Sequence, residues 1–322
     1  MKIQKITPIY SAAGERTLAK QLNAETLFRA PFGANSSRFY FLKDFPDFLS
    51  GYSHWTSCVL PKSPHLIKWM TDMGDEGERI ALETRTYGSV LHYVIAESER
   101  ADGQPFRFEG EASKWWRDAV RMYMEAHGIG LHLYDTWCAN VQNDMFAWQS
   151  FKRDCDVQVL AVEFPVHSKE YRIGTPADVI ALVQTKEGRK LAAIDIKATT
   201  RDVSASRDYQ LQLHFIRWAF NQAHGETMQI ERTYNWSLMD RAKSPGRYRL
   251  KEQVFASPIE GKRTGALTEE LFFLYMRLNV LEGYYRPSGE IVTFEDGPDG
   301  QAIMLVQKPG EWLKQWQKGG KI

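Results

Sequence analysis

Two carboxylates and an ammonium stand in stretches that otherwise read as buried strand: Asp178 inside TPADVIALV, and Asp195 and Lys197 inside AAIDIKAT. Successive strand side chains alternate between faces. Asp195 and Lys197 therefore point one way, and Ile194, Ile196 and Ala198 the other. The two carboxylates and the ammonium are offered to one side of a sheet. An ion pair between Asp195 and Lys197 explains little by itself, because desolvating the ions costs several kcal/mol each and apolar residues of the same size often serve as well. It also leaves Asp178 unpaired. A hard divalent cation accounts for the whole set, since Mg²⁺ takes oxygen ligands and often only one or two protein carboxylates beside water and substrate phosphate.

Positioning these groups requires three strands and a helix. VQVLAVEFPV, YRIGTPADVIALV and LAAIDIKATT are apolar, β-branched runs separated by polar or Gly-containing breaks, and Lys186-Glu187-Gly188-Arg189 reads as a tight turn between the second and third. RDYQLQLHFIRWAF follows with helical spacing: Tyr209, Leu213, Ile216 and Phe220 form the apolar stripe, Gln212 falls at its border, and Gln210, His214 and Arg217 lie on the polar side. Upstream, the spacing predicts a helix from Ser63 as N-cap and Pro64 at its first position, with Leu66, Ile67, Met70 and Met73 in register. A second helix is predicted from near Ser89, where Leu91, Val94, Ile95 and Ser98 share a face and His92 lies beside it, either as a partly buried core residue or as a ligand. Ser113 caps a third helix closed by Gly128, whose Trp115 and Trp116 read as core. LYDTWCANVQNDMFAWQSF is ambiguous, another short helix being one reading of it.

In this order the residues resemble the PD-(D/E)XK nuclease superfamily, in its RecB-like, phage-type single-domain exonuclease branch. The resemblance is carried by Glu163 in AVEFPV, Gly174 to Asp178 in GTPAD, Asp195-Ile196-Lys197, the Gln-containing helix, and Gly88 to His92 as a G-x-x-x-H helix. WTSCVLPKSPHLIKWMTDMGDEGE resembles the lead-in of phage-type and mitochondrial single-domain members. It spans Tyr52 to Phe220.

The resemblance implies an α/β fold with a restriction-endonuclease-like mixed central sheet flanked by helices, with N- and C-terminal elaborations. It divides the chain into residues 1–50 as an N-terminal extension, 51–224 as the nuclease core and 225–322 as an elaboration packed on the core. The implied activity is Mg²⁺- or Mn²⁺-dependent exonucleolytic hydrolysis of DNA with two ions, in recombination, repair or phage replication, beside a single-strand annealing or recombination protein. Asp178, Asp195 and the main-chain carbonyl of Ile196 would hold metal, His92 would complete a second position, Lys197 would orient the attacking water, and Glu163 would support from the neighbouring strand. The family's Q-x-x-x-Y pattern is only half met: from Gln212 it meets Ile216 and from Gln210 it meets His214, and the geometry favours Gln212. An endonuclease of restriction or junction-resolving type is the rival in the same chemistry, and a binding protein that lost catalysis is the rival outside it.

Composition is compatible with this reading. The 322 residues suffice for one elaborated α/β domain, and 43% hydrophobic content with 10 Trp and 17 Phe supplies a sizeable core. A net charge of only +1 confines nucleic-acid binding to a local basic surface. Such a surface is offered between Arg241 and Arg263, where seven basic residues, Arg247, Arg249 and Lys251 among them, face two acidic ones. Cys58, Cys138 and Cys155 are too few and too scattered for a disulfide framework, a zinc site or a four-Cys iron–sulfur cluster. No P-loop, dinucleotide fingerprint or H-E-x-x-H is present. With no apolar leader and no run of about 18 apolar residues, the expectation is a cytoplasmic protein away from membranes. ALTEELFFLYMRLNVLEG reads as a helix beginning at Thr268 and Glu269, and EIVTFEDGPDGQAIMLVQ as a hairpin turning at Gly297-Pro298-Asp299-Gly300.

Overall fold

A computed structural model describes residues 3–22, 24–31, 38–60, 64–202, 206–264, 266–288, 291–296 and 302–319. Ser63 and the Gly297–Gly300 turn lie outside the described residues. The strands are β1 (Gln4–Ile6), β2 (Ile9–Tyr10), β3 (Leu27–Arg29), β4 (Phe39–Phe41), β5 (Leu49–Gly51), β6 (Gln158–Ser168), β7 (Ile173–Thr185), β8 (Gly188–Lys197), β9 (Arg232–Leu238), β10 (Tyr248–Glu252), β11 (Ile291–Asp296) and β12 (Ala302–Gln307). The helices are α1 (Ala12–Arg16), α2 (Leu18–Gln21), α3 (Tyr52–Val59), α4 (Pro64–Met73), α5 (Asp75–Glu99), α6 (Lys114–Ala126), α7 (Tyr134–Asp154), α8 (Arg207–His224), α9 (Pro258–Thr264), α10 (Glu269–Leu281) and α11 (Pro309–Gln317).

A mixed ten-stranded sheet flanked by helices forms the centre, in the order β1-β3-β4-β5-β7-β8-β9-β10, with β6 on the other edge of β7 and β2 beyond it. The first 51 residues thus supply five strands to the same sheet. β7 is the hinge of this topology, because β5 and β8 share one of its edges. β5 pairs with it in parallel at Ser50–Ile173 and Gly51–Gly174, whereas β8 pairs antiparallel from Thr185–Gly188 only as far as Val179–Ile194. Beyond that pair the two strands part. Asp195, Ile196 and Lys197 stay paired with β9, through Asn235, Trp236 and Ser237, so that edge of β7 carries no strand beside Asp178.

Apolar layers cover both faces. Val179, Ala181, Val183, Ala192, Ile194 and Ile196 pack against α5, α6 and α7, where Trp148 meets Trp236 edge-on with ring centroids 5.6 Å apart. Ile180, Leu191 and Ala193 pack against α3, α8 and α10 through Trp55, Phe215, Phe220, Phe272 and Met276. This alternation is why three apolar runs become strands buried on both sides.

Several helices differ from the sequence-based expectation. α5 runs unbroken for 25 residues from an acidic first turn of Asp75, Glu76 and Glu78, so Ser89 is not a start. Asp and Glu there complement the helix dipole, and Gly88 is tolerated within the helix. α7 is a full 21-residue helix with nine buried positions, not a short one. The Ser113 hydroxyl donates to the Gly110 carbonyl and makes no cap bond to α6. Thr268 does cap α10, accepting from the Leu271 N–H at 3.3 Å. In α8, Leu211 to Ile216 are all buried, because the helix is enclosed by the sheet on one side and by α3, α10 and Phe255 on the other. His214, expected on a polar side, is therefore inside, stacked on Phe255 with ring centroids 3.7 Å apart.

Candidate metal centre

The parting of β7 and β8 leaves the Ile196 N–H without a strand partner, and the Asp178 carboxylate takes that place: its Oδ2 accepts from the Ile196 N–H at 2.8 Å. The next backbone group is also claimed. His92, projecting from α5, lies with Nε2 3.0 Å from the Ile196 carbonyl. A carbonyl can only accept, so Nε2 carries the proton. In the neutral imidazole this leaves the Nδ1 lone pair free, 3.6 Å from Asp178 Oδ1. A carbonyl that fixes the tautomer in this way is a recurrent support of metal-binding histidines.

Glu163 completes the group. The pairs Val162–Val179 and Phe164–Ala177 set it beside Asp178, and its φ of 51° is left-handed. That conformation costs a non-glycine residue about 1 kcal/mol or more. It also shifts the strand's alternation, since Val162 packs with the α5–α7 layer and Phe164 with the α8 layer. Ala177 and Val179 of β7 divide between the layers in the same manner. Ligand atoms of His92, Glu163 and Asp178 all lie within 4.8 Å of one another. Burial and the Asp178 charge push the Glu163 carboxyl up to about 7, against the opposing pull of His92 and Arg38. Two carboxylates beside the free lone pair of an imidazole, apposed at the cost of backbone strain, form a donor set suited to a divalent cation.

Asp195 and Lys197 flank Ile196 on β8, near enough for the Asp178 charge to act on both. Asp195 is fully buried; Oδ1 accepts from Lys197 Nζ at 2.8 Å and Oδ2 from Asn235 Nδ2 at 2.6 Å. Lys197 also donates to Gln212 Oε1 at 3.0 Å and lies 4.3 Å from the centroid of the Tyr209 ring. Burial pulls the Lys197 pKa down, but the charges of Asp195 and Asp178 hold it above its ordinary value. Burial raises the Asp195 pKa, and Lys197 opposes that rise. Hydrogen bonds thus group Asp195 with Lys197, Gln212 and Asn235, and ligand-atom distances group Asp178 with His92 and Glu163.

The basic stretch after β9 is also divided. Arg241 pairs with the fully buried Asp144 through Nε at 2.8 Å and Nη2 at 2.6 Å, and Arg249 Nη1 donates to the carbonyls of Thr200 and Leu238 at 2.7 and 2.8 Å. These two brace the fold. Lys243, Arg247, Lys251, Lys262 and Arg263 are exposed. In the register, Asp195 is followed across the sheet by Asn235 and Lys251, and Lys197 by Ser237 and Arg249, so this basic edge shares the face of the Asp195–Lys197 pair.

Sequence reasoning passed over Arg38, Asn235 and Gln253. Arg38 flanks β4, its carbonyl accepting from the Gly51 N–H at 2.7 Å. For Asn235 a signal existed: RTYNWSL alternates strictly, with Thr233, Asn235 and Ser237 on one face and the apolar Tyr234, Trp236 and Leu238 on the other. Comparison of the chain with protein-family models gives no match, and a search of curated proteins gives none either.

Proposed function

We propose that this protein is a divalent-metal-dependent deoxyribonuclease that degrades DNA from its ends. The observation that carries the reading is the convergence of His92, Glu163 and Asp178 within 4.8 Å at the point where β7 and β8 part, with the Lys197 ammonium near enough to feel the Asp178 charge. Apposed carboxylates repel, and a cation between them converts that repulsion into binding. The PD-(D/E)XK resemblance of GTPAD, Asp195-Ile196-Lys197 and the G-x-x-x-H helix points the same way.

When bound, Mg²⁺ or Mn²⁺ supplies a Lewis acid that lowers the pKa of water and neutralises charge on a phosphodiester. His92, Glu163 and Asp178 would hold the ion, and Asp178 also ties the middle of β7 to the Ile196 N–H. Lys197, kept charged by Asp195 and steadied by Gln212, donates toward the negative charge that develops on the phosphate in the transition state. The exposed Arg247 and Lys251 offer backbone phosphates a local contact, which a net charge of +1 confines to one edge of the sheet. No helix among the described residues is long and apolar enough to cross a membrane.

Digestion of end-labelled linear DNA and covalently closed circular DNA with Mg²⁺, Mn²⁺ or EDTA tests the proposal. Linear DNA should be shortened progressively with either metal and not in EDTA, while closed circles survive. Discrete fragments from closed circles, appearing as fast as products from linear DNA, would replace the exonuclease by an endonuclease. No cleavage of either DNA with any metal would overturn the reading.

A further inference from the structure

Asp195 has a second line of support that no sequence motif marks. Its Oδ2 is met by Asn235 Nδ2 at 2.6 Å, and Asn235 Oδ1 accepts in turn from Gln253 Nε2 at 2.7 Å. Asp195 and Asn235 are fully buried and Gln253 is 3% exposed, so none of the three is free to exchange its partner for water. Gln253 is itself fixed at both backbone groups: its N–H donates to the Thr233 carbonyl at 2.9 Å, and its carbonyl accepts from the Thr233 hydroxyl at 2.9 Å.

The direction of this chain matters. An asparagine amide turned end for end would set its oxygen against the Asp195 carboxylate, two acceptors facing each other in a dry interior. The Gln253 donor on Oδ1 prevents that turn. Asn235 is then obliged to donate to Asp195, which leaves the other Asp195 oxygen for Lys197. We infer that Asn235 and Gln253 are positioning residues, acting as a unit through Asp195 to hold the Lys197 ammonium in place for phosphodiester cleavage. This rests on the nuclease reading above. Neither residue is accessible to substrate, so their effect reaches the reaction only through Asp195 and Lys197.

The test is steady-state cleavage of end-labelled linear DNA with Mn²⁺ by wild type, Asn235→Leu, Gln253→Met and the double variant, each first shown to unfold cooperatively. Asn235→Leu should lower kcat about 10- to 100-fold, the usual range for support behind a reactive group, with KM within about twofold because no DNA contact is lost. Gln253→Met should lower kcat in the same direction by a smaller factor, and the double variant should be no worse than Asn235→Leu alone, since both act on one carboxylate. A second readout needs no activity. The Lys197 ammonium, held by Asp195 and Gln212, should give a slowly exchanging ¹⁵N–¹H signal, identified by its loss in Lys197→Met, that is broadened or lost in Asn235→Leu and Gln253→Met.

A folded Asn235→Leu with wild-type kcat and an unchanged Lys197 signal overturns the inference, as does a double variant whose loss is the product of the single losses. If Asn235→Leu does not fold, an unchanged kcat and an unchanged signal in Gln253→Met overturn it equally. A wild type that cleaves no DNA overturns the nuclease reading instead, and the Lys197 signal then still reports whether Asn235 and Gln253 hold the ammonium.

Discussion

Replacing His214 by Leu should make the protein markedly less sensitive to acid, and the size of the effect follows from the burial of this ring. His214 is 2% exposed, neither ring nitrogen has a hydrogen-bond partner among the described residues, and the ring stacks on Phe255 at 3.7 Å. Burial, with a smaller contribution from the Arg217 charge, pulls its pKa from 6.5 down to about 4. The unfolded chain therefore takes up a proton below 6.5 that the folded chain refuses until about 4. The stability at stake is fully present above 6.5 and is lost as pH falls toward 4. Each pH unit in that window is worth about 1.4 kcal/mol, so at about pH 4.5 the native state has lost about 2.5 kcal/mol through this one residue. The assay is urea unfolding of wild type and His214→Leu at about pH 7 and 4.5. Packing changes caused by the substitution enter at both pH values and cancel in the comparison, as do all other titrating groups. The variant should gain about 2.5 kcal/mol on wild type between the two pH values. An equal difference at both would show that His214 is protonated or hydrated in the folded protein, and would refute the reasoning.

Glu163→Gln should stabilise the metal-free protein. The folded carboxyl titrates near 7 instead of 4.5, so native stability is lost as pH rises through that interval, and unfolding in EDTA at about pH 8 should show a gain of about 3.4 kcal/mol that largely disappears near pH 4.5. Arg241→Leu should cost about 3 kcal/mol by leaving the fully buried Asp144 without its charge partner; denaturant unfolding reads this directly, and a loss below about 0.5 kcal/mol would mean that the pair carries no weight. Lys197→Met should abolish cleavage and also lower stability, because the ammonium leaves and the fully buried Asp195 loses its charge partner; turnover like wild type in the folded variant would remove Lys197 from the mechanism.

What the sequence made legible was whatever local pattern decides. The three apolar runs became β6, β7 and β8, the Lys186–Arg189 turn joins the last two, and Thr268 caps α10, because strand propensity, turn chemistry and capping act over a few residues. The short strands β1 to β5 were not legible, since segments of two or three residues become strands only by pairing with a sheet built elsewhere in the chain. The same holds for His214, whose burial depends on Phe255 and α10, and for Arg241, whose partner Asp144 is 97 residues away. At the site, Asp178, Asp195 and Lys197 stood out by type and spacing, and His92 and Glu163 only through the family resemblance. The close approach of Glu163 to His92 and Asp178 was not legible, because it depends on the left-handed backbone at Glu163 and on the pairing of β6 with β7.

The central claim is a cation site built from His92, Glu163 and Asp178, and calorimetric titration of Mn²⁺ into the EDTA-stripped protein tests it most directly. Wild type should bind with release of protons, because the Glu163 carboxyl, pushed up to about 7, gives up its proton to bind the ion. His92→Ala and Asp178→Ala should each weaken the affinity at least about tenfold, since each removes one of the grouped ligands. Absence of Mn²⁺ binding by the wild-type protein, or binding that Asp178→Ala leaves unchanged, would contradict it.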